Sequence, residues 1–321
     1  MVIDASMVGN EVNNIFLESD VAHDEGIVQI TIPQASQDEP EFLPEMNKTI
    51  ISFVFCFFSW VLTTVILALV HERVPDRLNA TRLPDTFLDN VPEYPWALIV
   101  SEAILVFSGL SCAVLVCFHK YKLILIRRIF FLLGVLYLFR CLTIYVTVLP
   151  VASKTYYCSP KANDATVWNV IIRALKSFIG MGLSITGMST FCGDYIYSGH
   201  TVILTLTCLI FQEYTPKRYW PLHWIAIMVS VSGVVFLMIA HGHYSVDVIL
   251  AYYITTRLFW IYHTLANNPV LKEKGPNNYF SHIWWWHVFY YFEKNINCPL
   301  PRRYEWPISW AKKQTDGTDE T

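Results

Sequence analysis

Six stretches of roughly twenty apolar residues, parted by more polar segments, constrain this chain more than any other feature. About 20 consecutive apolar residues in a helix cross the hydrocarbon core of a bilayer. The stretches fall at 50–70, 95–118, 129–149, 197–212, 219–240 and 246–265. Of 321 residues, 54% are hydrophobic and only 15% charged, against about 25% charged in a soluble domain. The expectation is an all-α membrane protein with a six-transmembrane helix bundle. The fourth stretch is short and opens on Ser198-Gly199-His200. Its first turn is therefore expected in the headgroup layer or in a protein cavity, where polar groups are solvated.

Loop charges set the orientation, because cytoplasmic loops carry the excess of Lys and Arg. The loop between the second and third stretches carries His119, Lys120, Lys122, Arg127 and Arg128 without an acid. The loop between the fourth and fifth carries Lys217 and Arg218, and the segment after the sixth carries Lys272 and Lys274. With six spans these lie on one side, so both termini are expected to be cytoplasmic. The first outer loop mixes Arg73, Arg77 and Arg82 with Glu72, Asp76, Asp85, Asp89 and Glu93, and holds the sequon Asn79-Ala80-Thr81, a lumenal signature. The apolar stretch 167–187 is interrupted by Arg173 and Lys176 and reads as an amphipathic interfacial or re-entrant segment. A full span there would carry Lys217 and Arg218 to the outer side, against the charge rule.

The chain divides into an acidic, mostly disordered cytosolic tail over 1–48, a six-span catalytic membrane domain over 49–268, and a cytosolic tail over 269–321. The last is rich in aromatics (Trp284, Trp285, Trp286, Tyr290 and Trp306 among them) and is expected against the leaflet or the helix bundle. No signal peptide is expected from the acidic N-terminal residues. The net charge of -3 and the lack of a basic tract argue against a nucleic-acid partner. Eight cysteines form no C-x-x-C pair and no zinc spacing, so neither a metal nor any other cofactor is expected. Cys158 and Cys192 share one loop and could pair in an oxidising lumen.

Two polar patches carry the chemistry. One is Cys192-Gly193-Asp194-Tyr195-Ile196-Tyr197-Ser198-Gly199-His200-Thr201, and the other is His243-Tyr244-Ser245-Val246-Asp247. One helical hairpin separates His200 from His243, so counting spans puts them at the same membrane face. Asp247 stands four residues after His243, on the same helical face. A carboxylate there can accept the imidazole N–H, fix the tautomer and raise the basicity of the other nitrogen. The implied chemistry is attack by a histidine on phosphorus, with a second histidine giving and taking the proton. Ser198 and the amides around Gly199, at a helix N-terminus, are candidates to hold phosphoryl oxygens. Arg140, Arg257 and Arg173 are candidates to contact phosphate, the first two because arginines within spans are costly. Asp194 can polarise a substrate hydroxyl, stabilise a cationic group or cap the fourth span. Tyr195, Tyr197 and Phe191 can form a cation–π site for a quaternary ammonium or act as interfacial anchors.

Ser198-Gly199-His200 and His243-x-x-x-Asp247 resemble the second and third motifs of the lipid phosphate phosphatase superfamily, which implies a core of that type. The wider strings, CGDYIYSGHT from Cys192 and HYSVDVILAYYITTRLFWIYHTLANN from His243, resemble the sphingomyelin synthases. So do Leu83-Pro84-Asp85, Arg127-Arg128-Ile129-Phe130-Phe131 and Leu149-Pro150. The resemblance implies transfer of phosphocholine from phosphatidylcholine to ceramide, giving sphingomyelin and diacylglycerol. By analogy with the phosphatases it makes His243 the nucleophile, Asp247 its orienting partner, and His200 the acid and then the base. It further implies a Golgi or plasma-membrane location with the site on the lumenal or extracellular face, and it leaves a homodimer open. The phosphatases' arginine before the third-motif histidine is missing from Met238-Ile239-Ala240-His241-Gly242. Phosphatidylethanolamine as donor, water as acceptor, or lipid binding without catalysis are the alternatives, and Tyr197 leans the choice toward choline.

Overall fold

The longest apolar runs of the chain become its longest helices. A computed structural model describes residues 42, 44–76, 80–161, 167–187, 191–275, 277–296 and 298–306. The expected acidic tail up to residue 41 and the sequon asparagine, Asn79, lie outside the described residues. The main helices are α1 (Met46–Arg73), α2 (Thr86–Asn90), α3 (Trp96–Phe118), α4 (Lys122–Val146), α5 (Val167–Ile179), α6 (Gly199–Tyr214), α7 (Trp220–Ile239), α8 (Ser245–Asn267) and α9 (Trp286–Glu293). Short 3₁₀ turns connect some of them, and among the described residues there is no strand. Helix α1 packs along α4, α3 sits against α6 and α7, α6 also lies against α8, and α5 lies on α1.

Four segments, Met46–Arg73, Trp96–Phe118, Lys122–Val146 and Lys217–Ile239, are long and apolar enough to cross a membrane. Only 17% of the most apolar window of the last is buried in the protein. An apolar helix so exposed belongs in lipid. Two of the expected six, α6 and α8, fall outside this group for physical reasons. Helix α6 has 16 residues, about 24 Å at 1.5 Å per residue, against a hydrocarbon core of about 30 Å. Helix α8 is long enough but carries Asp247, Arg257 and His263.

The structure corrects the sequence reading at several points. Arg127 and Arg128 are not loop charges. They are the second turn of α4, buried to 1% exposure. Arg128 holds Glu293 of α9 through two bonds of 3.1 and 2.7 Å, and Arg127 reaches Glu45 at 3.0 Å. Tyr262 adds a third bond to Glu293 at 2.8 Å. Two arginines so close to acids distant in sequence pull helix α4 seven residues N-terminal of the expected start. Residues 46–48, assigned to the tail, already belong to α1. Part of the C-terminal aromatic tail packs into the bundle, while Trp284, Tyr290 and Trp306 stay exposed. Trp285, Trp286, Phe289 and Phe292 are buried with Phe131 of α4 and Tyr262 of α8 in one apolar core.

At the other end of the bundle the loops are fastened by buried polar groups. Cys158 and Cys192 form a disulfide. His71 accepts from the Cys192 amide at 3.0 Å through Nδ1, so its Nε2 donates to the Ser159 carbonyl at 3.0 Å. The Glu93 carboxylate takes Ser153 Oγ at 2.5 Å and the amides of Lys154 and Thr155. Helix α5, 13 residues long, is too short to span. It lays Phe178 against Trp60 of α1, with ring centroids 4.4 Å apart, and turns Trp168, Ile171, Leu175 and Ile179 outward.

Candidate active site

Helices α6 and α8 begin side by side at this fastened end. Ser198 caps α6, its Oγ accepting from Thr201 N at 3.3 Å and pairing with Thr201 Oγ1 at 3.1 Å. Its side chain is spent on the helix. Asp247, fully buried, joins the two patches. Its Oδ1 accepts from Ile196 N at 2.8 Å and its Oδ2 from Tyr244 N at 3.0 Å. The His243 Nδ1 stands 3.4 Å from the same Oδ2, which leaves Nε2 as the free ring nitrogen. His200 and His243 face each other with ring centroids 6.1 Å apart.

One residue of this cluster was missed by sequence reasoning. Glu102 of α3 is 1% exposed, and its carboxylate lies 3.7 Å from His200 Nε2. It is held in place by Ser184 N and Oγ and Ile185 N, which donate to it at 2.6 to 2.7 Å. A lone glutamate inside an apolar run was the available signal, since an ionisable group within a span is functional by default.

Arg140 of α4 lies against the first patch. Its guanidinium donates to the Tyr197 carbonyl at 2.8 Å and forms an ion pair with Asp194. Asp194 is therefore not the α6 cap. Gly199 is required by this packing: a Cβ there would sit 2.3 Å from Arg140 Nη1 and 2.9 Å from Cζ. Gly193, at φ +106°, leaves no room either, its Cβ meeting Val74 Cγ2 at 2.5 Å.

Two cavities of about 90 Å³ each meet at His200. The first is lined by His243, Glu102, Asp194 and the aromatic rings of Phe191, Tyr156 and Tyr195. The second runs from Arg140 and Asp194 between Trp60, Thr63 and Met181 into the apolar part of the bundle. Arg140 Nε, Asp194 Oδ1, His200 Nε2 and His243 Nδ1 are buried without a hydrogen-bond partner. Buried polar atoms are nearly always paired; the two imidazole nitrogens face carboxylates, Glu102 at 3.7 Å and Asp247 at 3.4 Å, so the unmet capacity a polar ligand would complete is that of Arg140 and Asp194. A larger cavity of about 650 Å³ lies between α3, α6 and α7 near Phe118, Thr215 and Tyr304. It is almost wholly apolar and holds none of the candidate groups.

Other candidates stand elsewhere. Tyr195 lines the first cavity, its hydroxyl accepting from Ala152 N at 3.1 Å and its ring edge-on to His243. Burial pushes its phenol above the usual range. Tyr197 turns into the apolar core beside Thr255 and lines neither cavity. Arg173 pairs with Glu72 and the Pro160 carbonyl. Arg257 stacks on Tyr253 and Trp260 on the outer face of α8. Neither of these arginines lines the two cavities. Among the described residues no group of His, Cys, Asp and Glu has the arrangement of a metal site.

A helical membrane bundle that sets a histidine at the head of one helix against a histidine and an aspartate at the head of another is of the PAP2 type. The PAP2 superfamily C-terminal model matches residues 191–264, the stretch that holds both patches. Similar chains extend the likeness well beyond that stretch. The human phosphatidylcholine:ceramide cholinephosphotransferase 1 is 47% identical over 285 residues, covering 88% of this chain and 68% of its own length. The rat form is 46% identical over 286 residues, 88% and 67%. The rat phosphatidylcholine:ceramide cholinephosphotransferase 2 is 46% identical over 285 residues, 88% and 77%. The chain belongs to the sphingomyelin synthase family, the phosphatidylcholine:ceramide cholinephosphotransferases.

Proposed function

We propose that the protein moves phosphocholine from phosphatidylcholine to the primary hydroxyl of ceramide, releasing diacylglycerol and forming sphingomyelin. The observation that carries this reading is the meeting of His200 and His243 at one cavity, with Asp247 buried against His243, in a chain of this family. In the first step His243 Nε2 attacks phosphorus and the bond from phosphorus to the glycerol oxygen breaks. The departing alkoxide takes a proton from His200, and phosphocholine remains on His243 as a phosphoramidate. In the second step the ceramide hydroxyl gives its proton to His200 and attacks phosphorus. The phosphorus–nitrogen bond breaks and His243 is regenerated. The 6.1 Å between ring centroids suits one phosphoryl group reached by both rings, each within hydrogen-bond distance of about 3 Å.

Asp247 stabilises the positive charge His243 acquires, and Glu102 orients His200 from its Nε2 side. The rings of Phe191, Tyr156 and Tyr195 line a cavity suited to a quaternary ammonium over a ring face, with Glu102 and Asp194 supplying negative charge. Each cavity is smaller than the ~300 Å³ usual for a small-molecule site, so headgroup and leaving oxygen occupy both, joined at His200. The second cavity offers the acyl chains a path toward lipid.

The same reading includes six spans with both termini cytoplasmic and the site on the lumenal or extracellular face, in the Golgi or plasma membrane. The Cys158–Cys192 disulfide supports an oxidising compartment on that side. The exposed cations Lys122, Lys217, Arg218 and Lys274 support a cytosolic opposite side. Purified protein given headgroup-labelled phosphatidylcholine and fluorescent ceramide tests the function. Labelled sphingomyelin supports it. Labelled free phosphocholine identifies a hydrolase, and turnover only with phosphatidylethanolamine identifies the ethanolamine enzyme.

A further inference from the structure

The segment between α1 and α2 ends in Asp85, a carboxylate with two tasks. Asp85 caps α2, its Oδ1 accepting from Phe87 N at 2.9 Å and Leu88 N at 3.2 Å. It also holds the first residue of α8: Ser245 Oγ donates to Oδ1 at 2.8 Å and Ser245 N donates to Oδ2 at 2.8 Å. Two residues earlier, Leu83 N donates to the Tyr244 hydroxyl at 3.2 Å, and that hydroxyl donates to the Pro150 carbonyl at 3.0 Å. Tyr244 and Ser245 lie between His243 and Asp247, and Tyr244 N is itself bonded to the Asp247 carboxylate. The loop therefore grips the two residues that set how the nucleophile faces its partner. Asp85 lines neither cavity.

We propose that Asp85 is a positioning residue for headgroup transfer: it fixes the first turn of α8 and thereby the placement of Asp247 beside His243. The role rests on the transferase reading above. An uncapped helix start frays, because its first N–H groups have no partner within the helix. Here that fraying would move the carboxylate away from the imidazole at 3.4 Å, and a misplacement of about 1 Å at a reacting centre costs on the order of 100-fold in rate. Burial alone would raise the Asp85 carboxyl, but the bonds from Ser245, Leu88 and Phe87 outweigh it and hold the group charged.

Asp85→Asn separates the two tasks. Asparagine is as good an N-cap as aspartate, so its oxygen keeps the α2 amides and Ser245 Oγ. Its NH₂ cannot accept from Ser245 N. In purified full-length protein the variant is expected to lower kcat by about tenfold or more, toward the misplacement limit. KM for phosphatidylcholine and ceramide should stay unchanged, and amide exchange over residues 245–248 should be faster by mass spectrometry. Asn90→Ala, which removes only a bond inside α2, should match wild type on every measure. Wild-type kcat in Asp85→Asn overturns the proposal, and so does a rise in KM at constant kcat, which would make Asp85 a binding group. If the wild-type protein transfers no headgroup, the transferase reading fails. The exchange arm still decides the grip on α8, which unchanged protection over 245–248 overturns.

Discussion

Substituting Gly199 by alanine adds one methyl group at the centre of the site, and the structure sets the size of the effect. The new Cβ would stand 2.3 Å from Arg140 Nη1, 2.9 Å from Cζ and 3.2 Å from Nη2. A flexible surface arginine would swing aside. This one is buried, paired with Asp194 and bonded to the Tyr197 carbonyl at 2.8 Å, so retreat breaks both contacts. Alanine gains at most about 1 kcal/mol over glycine from helix propensity, whereas breaking a buried ion pair costs about 3–5 kcal/mol. The net expectation is a loss of about 2–4 kcal/mol in stability. Turnover should fall by roughly 100-fold, because the displaced groups line the His200 cavity. Thermal melting in detergent and the labelled-lipid assay measure the two effects. Gly109→Ala, with nothing within 4 Å of its Cβ, is the control and should melt at or above wild type. If Gly199→Ala melts and turns over like wild type, the tight Arg140 packing and the argument built on it are wrong.

His200→Ala, His243→Ala and Asp247→Asn should each lower transfer by roughly 10³-fold or more. Full activity in any one of them rejects its assigned role. Asp247→Asn should also lower the melting temperature, because an amide oxygen can accept only one of the two amides that Asp247 now holds. Reducing the Cys158–Cys192 disulfide, which closes a separation of 34 residues, should cost about 3–4 kcal/mol, seen as a lower melting point with dithiothreitol and absent in Cys158→Ser/Cys192→Ser. Acid should loosen the C-terminal helix. Burial would raise the Glu293 carboxyl, but Arg128, Arg127 and Tyr262 outweigh it and hold it at about 2. For a depressed carboxylate the stabilisation is complete above the unfolded value near 4.5 and is lost as pH falls toward 2. Melting should therefore be flat in this contribution from pH 7 to 5 and fall below 4.5, and Glu293→Gln should remove that part of the slope.

Periodicity and length made the long helices legible. The exposed apolar faces of α1, α3 and α7 show why, since lipid lets them stay apolar all round. The two patches were legible because polar residues amid apolar runs need a reason to be there. Contacts between distant residues were hidden. Nothing near Arg127 and Arg128 in the chain announces Glu45 and Glu293, so two buried ion partners read as loop charges. Glu102 stands alone in its helix, and its link to His200 exists only in three dimensions. Arg140 and Arg257 look alike in sequence, each an arginine within an apolar run. Packing turns one into the cavity and the other onto tyrosine and tryptophan at the outer face.

Ile196 has φ +74°, a left-handed backbone that a β-branched side chain rarely adopts and that costs about 1–3 kcal/mol. Its N–H is held by the Asp247 carboxylate, which is 51 positions further along the chain. During synthesis the turn before His200 therefore leaves the ribosome without the group that keeps it bent. It can relax to an ordinary conformation until α8 has been made and presents Asp247. The chain thus carries its own order of assembly, in which the two polar patches join only once α8 is in place. A chain arrested before residue 243 should leave the 191–198 segment open to protease, and full-length protein should protect it.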